Sequence, residues 1–188
     1  MAFVLGVIPA RAGSKRCPGK NKRMLAGKPL VVWTIEAAQQ ATKLTFVVGT
    51  TDDPDVLAMF ANHGMSAIMR PAELATDAAS VYDVIWHAVE RLGFAVSHVC
   101  LLQPTSPFRT GPDIDRMLAL LDEHPAAYTV GHDGEPNGAV YVAEVNWLRE
   151  HGTFADGLPV KMWQPVDVDT EDDFKKAEDY ANPIRATA

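Results

Sequence analysis

Cysteine is scarce in this chain of 188 residues: Cys17 and Cys100 are its only two, they lack metal-ligand spacing with each other, and they sit in different kinds of segment. A disulfide framework is therefore excluded, and reduced thiols in a cytoplasmic protein are expected. Long apolar runs are missing as well. The opening run, Phe3 to Ile8, is too short for a signal-peptide core, follows no basic segment and leads into a charged loop; nothing else approaches a membrane span. No membrane partner is expected. Net positive charge is absent too, because 17 Lys and Arg stand against 24 Asp and Glu for a formal charge of -7. That balance argues against nucleic acid, which needs a wide basic surface to displace counterions. The most informative absence is local. No carboxylate precedes Glu36, whereas seven of the 17 cations fall within residues 1–28: Arg11, Lys15, Arg16, Lys20, Lys22, Arg23 and Lys28. A compact positive patch on a negative body suits a small anion better than a polymer.

What is present is enough apolar material, 47% of the residues, to bury a substantial core, so one domain over 1–188 is expected. Residues 3–10 read as a buried strand and 29–41 as a helix with Pro29 in its first turn. The alternation continues with a strand at 44–50, a helix at 54–63, a strand at 66–69, a helix at 78–92, a strand at 98–103 and a helix at 112–123. This order predicts an α/β fold, a mainly parallel sheet with helices on both faces. Ligands of such sheets bind outside the carboxyl ends of the strands, which singles out the loops after Ala10, Met69 and Gln103. After Pro125 the order changes. Segments 126–130 and 138–142 read as strands separated only by "GHDGEPN", an antiparallel addition. A last strand over 161–168 leads into a closing helix from Thr170 to about Ala181.

The loop "IPARAGSKRCPGKN", Ile8 to Asn21, is the segment with chemistry in it. A glycine-containing loop directly after the first strand offers free backbone N–H groups to phosphate oxygens while ammonium and guanidinium groups neutralise charge. It is not a Walker loop, because Gly13 and Gly19 enclose five residues rather than four and Asn21 follows Lys20 where Ser or Thr would be needed. The G-x-G-x-x-G dinucleotide pattern is missing too.

This loop, followed by "LAGKPLVVWTIEAA", resembles the opening of the acylneuraminate cytidylyltransferase family. Four further stretches agree in order: "RPAELATDAAS" (Arg70 to Ser80), "LLQPTSPFRTGPDI" (Leu101 to Ile114), "NGAVYV" (Asn137 to Val142) and "DVDTEDDFKKAE" (Asp167 to Glu178). The resemblance implies a Rossmann-like nucleotidyltransferase that joins a nonulosonic acid to CMP from CTP, with Mg2+ and release of pyrophosphate. It implies that Arg11 and Lys20 bind the triphosphate with help from Lys15, and that Ala10, Asn21, Arg70 and Ser80 complete the nucleotide site. Gln103, Asn137 and Tyr141 would meet the sugar. Arg16 and Cys17 stand where relatives often carry Gly and an aliphatic residue, and no role is assigned to them.

Asp167 and Asp169 can be argued partly from spacing. Residues two apart on a strand point to one side, so "DVD" presents two carboxylates together, which suits Mg2+ with phosphate and water as the remaining ligands. The competing reading is helix initiation, with Asp169 or Thr170 as cap and Asp173 completing a capping box. The resemblance also exposes a departure. Relatives carry a longer arm between the strand near Val130 and "NGAVYV" that contributes to dimerisation; only "GHDGEP" remains here, so homodimerisation is left open. Two other readings stay open: cytidylyl transfer to 3-deoxy-manno-octulosonate, and a catalytically inactive nucleotide-binding module that has lost its acceptor site.

Overall fold

The computed structural model describes residues 2–185. Its first strand, β1 (Val4–Pro9), lies mid-sheet with Leu5, Val7 and Ile8 fully buried, the near-continuous apolar run expected of a parallel strand covered on both faces. A basic loop and the two-stranded hairpin of β2 (Met24–Leu25) and β3 (Lys28–Pro29) follow. Next come α1 (Leu30–Gln40), β4 (Phe46–Thr51), α2 (Pro54–Asn62) and β5 (Ser66–Met69). Then follow α3 (Val81–Leu92), β6 (His98–Leu101), α4 (Gly111–Ala119) and β7 (Ala126–Val130). The described chain ends with β8 (Pro136–Glu144), α5 (Val145–His151), β9 (Leu158–Lys161) and α6 (Glu171–Arg185).

Seven of these strands form one sheet in the order β5-β4-β1-β6-β8-β7-β9. Neighbours pair in parallel except β8, which is antiparallel to both β6 and β7. Helices α1, α2 and α4 pack on one face through Val31, Ile35, Phe60, Ile114 and Met117. Helices α3 and α5 cover the other through Ile85, Ala88 and Leu148. The strand order reverses between β1 and β6, so their loops part at the carboxyl edge and leave a crevice there. A third, smaller cluster unites Cys17, Leu25 and Leu30 with Val168, Phe174, Ala177 and Ala181, seating α6 against the basic loop and the hairpin.

Local chemistry explains most of the boundaries. Ser80 accepts the Tyr82 N–H at 3.2 Å and so starts α3 at Val81, three residues later than the sequence pattern suggests; left-handed Gly93 ends it. Thr110 and Asp113 form a capping box at the head of α4. The connection from β7 to β8 is a tight turn, closed by the Gly131 N–H donating to the Glu135 carbonyl at 2.8 Å. No helix among the described residues is long and apolar enough to cross a membrane.

The expected strand at 161–168 is not there. β9 ends at Lys161, and residues 162–170 run without regular structure. Pro165 has no N–H to give to a ladder, and the Val168 N–H instead donates to the Thr105 carbonyl at 2.7 Å, which draws the segment across the end of β6. The hairpin of β2 and β3 and the seven-residue α5 are additions to the expected order.

Gly49 on β4 shows how tightly α2 is laid down, since a Cβ there would come within 2.5 Å of the Phe60 ring. Gly49→Ala is expected to lower unfolding free energy by about 1–3 kcal/mol through overpacking, measured by urea denaturation at unchanged m-value.

Candidate active site

A cavity of about 610 Å³ opens at the carboxyl edge, bounded by Pro9 at the end of β1, by Arg70 after β5 and by Gln103 after β6. Its size falls in the ordinary range for small-molecule sites. The loop after β1 supplies the nearest wall. The Ala10 N–H donates to the Thr50 carbonyl (2.9 Å), the Ala12 N–H to Asp52 (2.7 Å) and the Asn21 amide to the Arg11 carbonyl (2.9 Å), so the loop folds back on its own stem. Gly19, at φ 64, turns the chain where a side chain would be strained.

The seven early cations separate into two groups. Arg11, Lys15, Arg16 and Lys20 line the cavity. Lys22 reaches Asp53 and Asp55 at 3.0 and 2.9 Å, Arg23 reaches Glu171 at 2.6 Å, and Lys28 pairs with Glu36. Even the four in the cavity have counter-charges, brought from far along the chain. Asp77 holds Arg11 at 2.7 Å and Lys15 at 2.6 Å. Asp169 holds Arg16 at 2.9 Å and Lys20 at 3.0 Å, and the Lys20 ammonium also donates to the Val168 carbonyl at 3.0 Å.

Asp167 and Asp169 both line the cavity although no strand carries them. Extended irregular chain, pinned at Val168, does what the strand was expected to do. Asp167 is the deeper of the two and accepts from the Ser106 hydroxyl at 3.2 Å; burial pushes its carboxyl above the usual range, and neighbouring Asp169 adds to the effect. The capping reading holds at the same time for their neighbours. Thr170 and Asp173 exchange backbone and side-chain bonds at 3.2 and 3.0 Å, which leaves Asp169 free to face the cavity.

Arg70 is buried on the opposite wall, its guanidinium donating to the Thr50 carbonyl at 2.9 Å and the Thr50 hydroxyl at 3.3 Å. Burial lowers its pKa to about 10, so it stays charged at neutral pH. Asn21 is also buried, and its Oδ1 has no partner among the described residues, an acceptor left over on the cavity wall.

Gln103 borders a second, smaller cavity of about 190 Å³ as well, whose walls include Tyr82, Tyr128, Pro136, Tyr141 and Phe154. The Tyr141 hydroxyl accepts the Gly138 N–H at 3.2 Å, and burial raises its pKa. Gly138 has φ 72, and a Cβ on it would lie 2.7 Å from Gln103 Oε1, so that glycine lets the glutamine stand between the two cavities.

Three of the expected residues stay off both walls. Ala10 is fully buried under the loop, Ser80 caps α3, and Asn137 braces the sheet edge. The Asn137 amide accepts from the Thr129 hydroxyl at 2.6 Å and donates to the Met162 carbonyl at 2.9 Å, so its polar atoms are already engaged. Arg109 went unrecognised in the sequence. It is buried, donates to the Thr34 hydroxyl at 2.9 Å and to the Gln103 carbonyl, and burial lowers its pKa to about 10. No local pattern marks it apart from its place in the "PFRTG" turn. Asp77 lies inside the marked stretch 70–80, but no role falls to it from the sequence.

Asp77 fastens residues 72–80 to the loop after β1, and Lys15 and Arg11 hold its carboxyl below the usual range. A depressed folded-state value means this anchor is present above the ordinary carboxylate range and is lost as pH falls through the folded value. At neutral pH, Asp77→Asn is expected to speed amide hydrogen exchange in residues 72–80 relative to the parent chain, measured by mass spectrometry.

A family model described as cytidylyltransferase matches residues 5–145. The N-acylneuraminate cytidylyltransferase of Escherichia coli O18:K1:H7 is 38% identical over 137 residues, covering 71% of this chain and 32% of that protein. The CMP-N,N'-diacetyllegionaminic acid synthase of Legionella pneumophila is 44% identical over 110 residues, covering 56% and 47%. The chain thus spans about a third to a half of the length of these relatives. A solved CMP:2-keto-3-deoxy-manno-octonic acid synthetase complexed with CTP shares the fold, with a TM-score of 0.79 at 19% identity over 97% of this chain and 100% of that one. The family match runs from β1 through β8 and encloses the basic loop together with the loops after β5 and β6; this chain belongs to the cytidylyltransferase family.

Proposed function

We propose that the chain transfers CMP from CTP to the anomeric hydroxyl of a nonulosonic acid of the sialic type, releasing pyrophosphate. The observation that supports this reading most is the single cavity in which four loop cations face the carboxylates of Asp167 and Asp169. Arg11, Lys15 and Lys20 would hold the phosphates, and Asn21 and Arg70 the nucleoside end. As the acceptor oxygen bonds to the α-phosphorus and the bond to the bridging oxygen breaks, negative charge grows on the departing pyrophosphate. Fixed cations aimed there stabilise the transition state more than the ground state.

Asp167 and Asp169 supply two hard oxygen donors on one wall, and no group of three or more His, Cys, Asp or Glu suited to a metal occurs among the described residues. Two carboxylates with the rest of the shell left to phosphate and water is the donor set Mg2+ favours. When bound, Mg2+ would neutralise phosphate charge and align the triphosphate. The smaller cavity is the acceptor side, with Gln103 between sugar and nucleotide. Its wall of Tyr82, Tyr128, Tyr141 and Phe154 suits an acyl substituent on a sugar acid, which a sialic-type nonulosonic acid carries and 3-deoxy-manno-octulosonate lacks.

Pyrophosphate release with CTP across a panel of nonulosonic acids and 3-deoxy-manno-octulosonate tests the reading. Turnover is expected with at least one nonulosonic acid, and Asp169→Asn is expected to lower kcat by about 100-fold or more. CTP binding without turnover on any acceptor would instead make the chain a nucleotide-binding module.

A further inference from the structure

Of the four cavity cations Arg16 alone has no phosphate role, yet its guanidinium sits on Asp169 Oδ2 at 2.9 Å. Lys20 takes the other oxygen, Oδ1, at 3.0 Å. Both oxygens of this carboxylate are therefore claimed by cations of the chain itself. Asp167, by contrast, accepts from the Ser106 hydroxyl and enters no ion pair among the described residues.

The two cations differ in how firmly they are placed. The Lys20 side chain is 14% exposed and its ammonium is also tied to the Val168 carbonyl. Arg16 is 67% exposed, and among the described residues its side chain has Asp169 as its one hydrogen-bond partner. Ion pairs this open to water are weak and easily exchanged. A guanidinium also has a better partner in a polyphosphate, which carries more charge than one carboxylate and offers oxygens in matching pairs.

We infer that Arg16 is a positioning residue that blocks Asp169 in the nucleotide-free chain and moves to the polyphosphate when nucleotide enters, so that nucleotide and divalent ion bind cooperatively. The inference rests on the cytidylyltransferase reading above. Its logic is linkage: a nucleotide that draws Arg16 away frees Asp169 Oδ2 for the ion, and by reciprocity the ion strengthens nucleotide binding by the same factor. Arg16 thereby withholds the carboxylate from an ion that arrives without a nucleotide.

The test measures Mn2+ affinity by calorimetry or paramagnetic resonance on the full chain, without nucleotide and with CTP. Three proteins are compared: the parent chain, Arg16→Gln and Lys28→Gln. The second variant removes the same charge from the same basic segment, but from a side chain that lies off the cavity and pairs with Glu36. Arg16→Gln is expected to bind Mn2+ about 5-fold tighter or more without nucleotide, to bind CTP more weakly without metal, and to show a smaller gain in Mn2+ affinity on adding CTP. Lys28→Gln should leave nucleotide-free Mn2+ affinity near that of the parent. Equal tightening in both variants would reduce the effect to net charge and overturn the inference, as would an Arg16→Gln protein that matches the parent while both bind CTP. Failure of the parent chain to bind CTP at all would instead sink the cytidylyltransferase reading, and the role of Arg16 with it.

Discussion

The ammonium of Lys20 joins two stretches of chain that lie 149 positions apart, because it donates both to the Val168 carbonyl and to Asp169. Together with the Arg16 pair on Asp169 and the apolar cluster of Cys17 with Val168 and Phe174, that contact holds the segment 162–170 against the loop after β1 and closes one wall of the cavity. The sheet places the stem of the loop, but the sheet does not place Asp167 or Asp169. They arrive through a lysine that is largely shielded from water, through the Arg16 pair on Asp169, through the Ser106 hydroxyl on Asp167 and through the backbone bond from Val168 to Thr105. Shielding matters here, since a charged contact in a partly desolvated place is far less screened than one on open surface.

Charge is arranged in the same long-range fashion throughout the site. The first 35 residues hold no acid, so nothing local can neutralise the basic loop, and in an extended chain its cations would repel one another. The fold answers with carboxylates from four other places: Asp52, Asp53 and Asp55 around the head of α2, Asp77 after β5, Asp169, and Glu171 at the start of α6. Some of these contacts shape the loop and some border the cavity. Asp53, 8% exposed beneath Lys22, belongs to the scaffold, whereas Asp77 and Asp169 line the cavity at 45% and 41% exposed.

Much of the fold was legible in the amino-acid order because the first five strands of the sheet alternate with helices whose apolar spacing is plain; β5 and β7 fall at the residues expected. The strand expected at 161–168 was illegible for a physical reason. Alternation in "KMWQPVDV" fits a strand, but Pro165 and the bond from Val168 to Thr105 override it, and neither effect can be weighed without knowing what lies beside the segment. The site divides similarly. Arg11, Lys15, Lys20, Asn21, Arg70, Gln103, Asp167 and Asp169 reach the cavity, while Tyr141 lines the smaller one. Ala10, Ser80 and Asn137 sit one step behind those walls, since a motif marks a neighbourhood and does not say which side chain in it points inward. Arg109 and Asp77 lie inside the marked stretches 101–114 and 70–80, but what singles them out is a partner far along the chain, Thr34 for Arg109 and Arg11 with Lys15 for Asp77.

The small cluster beneath the basic loop has its own consequence. Cys17, Leu25 and Leu30 are buried against Val168, Phe174 and Ala181 rather than against either face of the sheet, and Arg23 lies over the Phe174 ring at 3.9 Å. The end of the molecule that carries the basic loop and the cavity wall of 167–169 therefore has a foundation separate from the main body. Loosening α6 would detach that foundation while seven strands and their covering helices kept their packing, so on warming the cavity is built to open before the sheet comes apart.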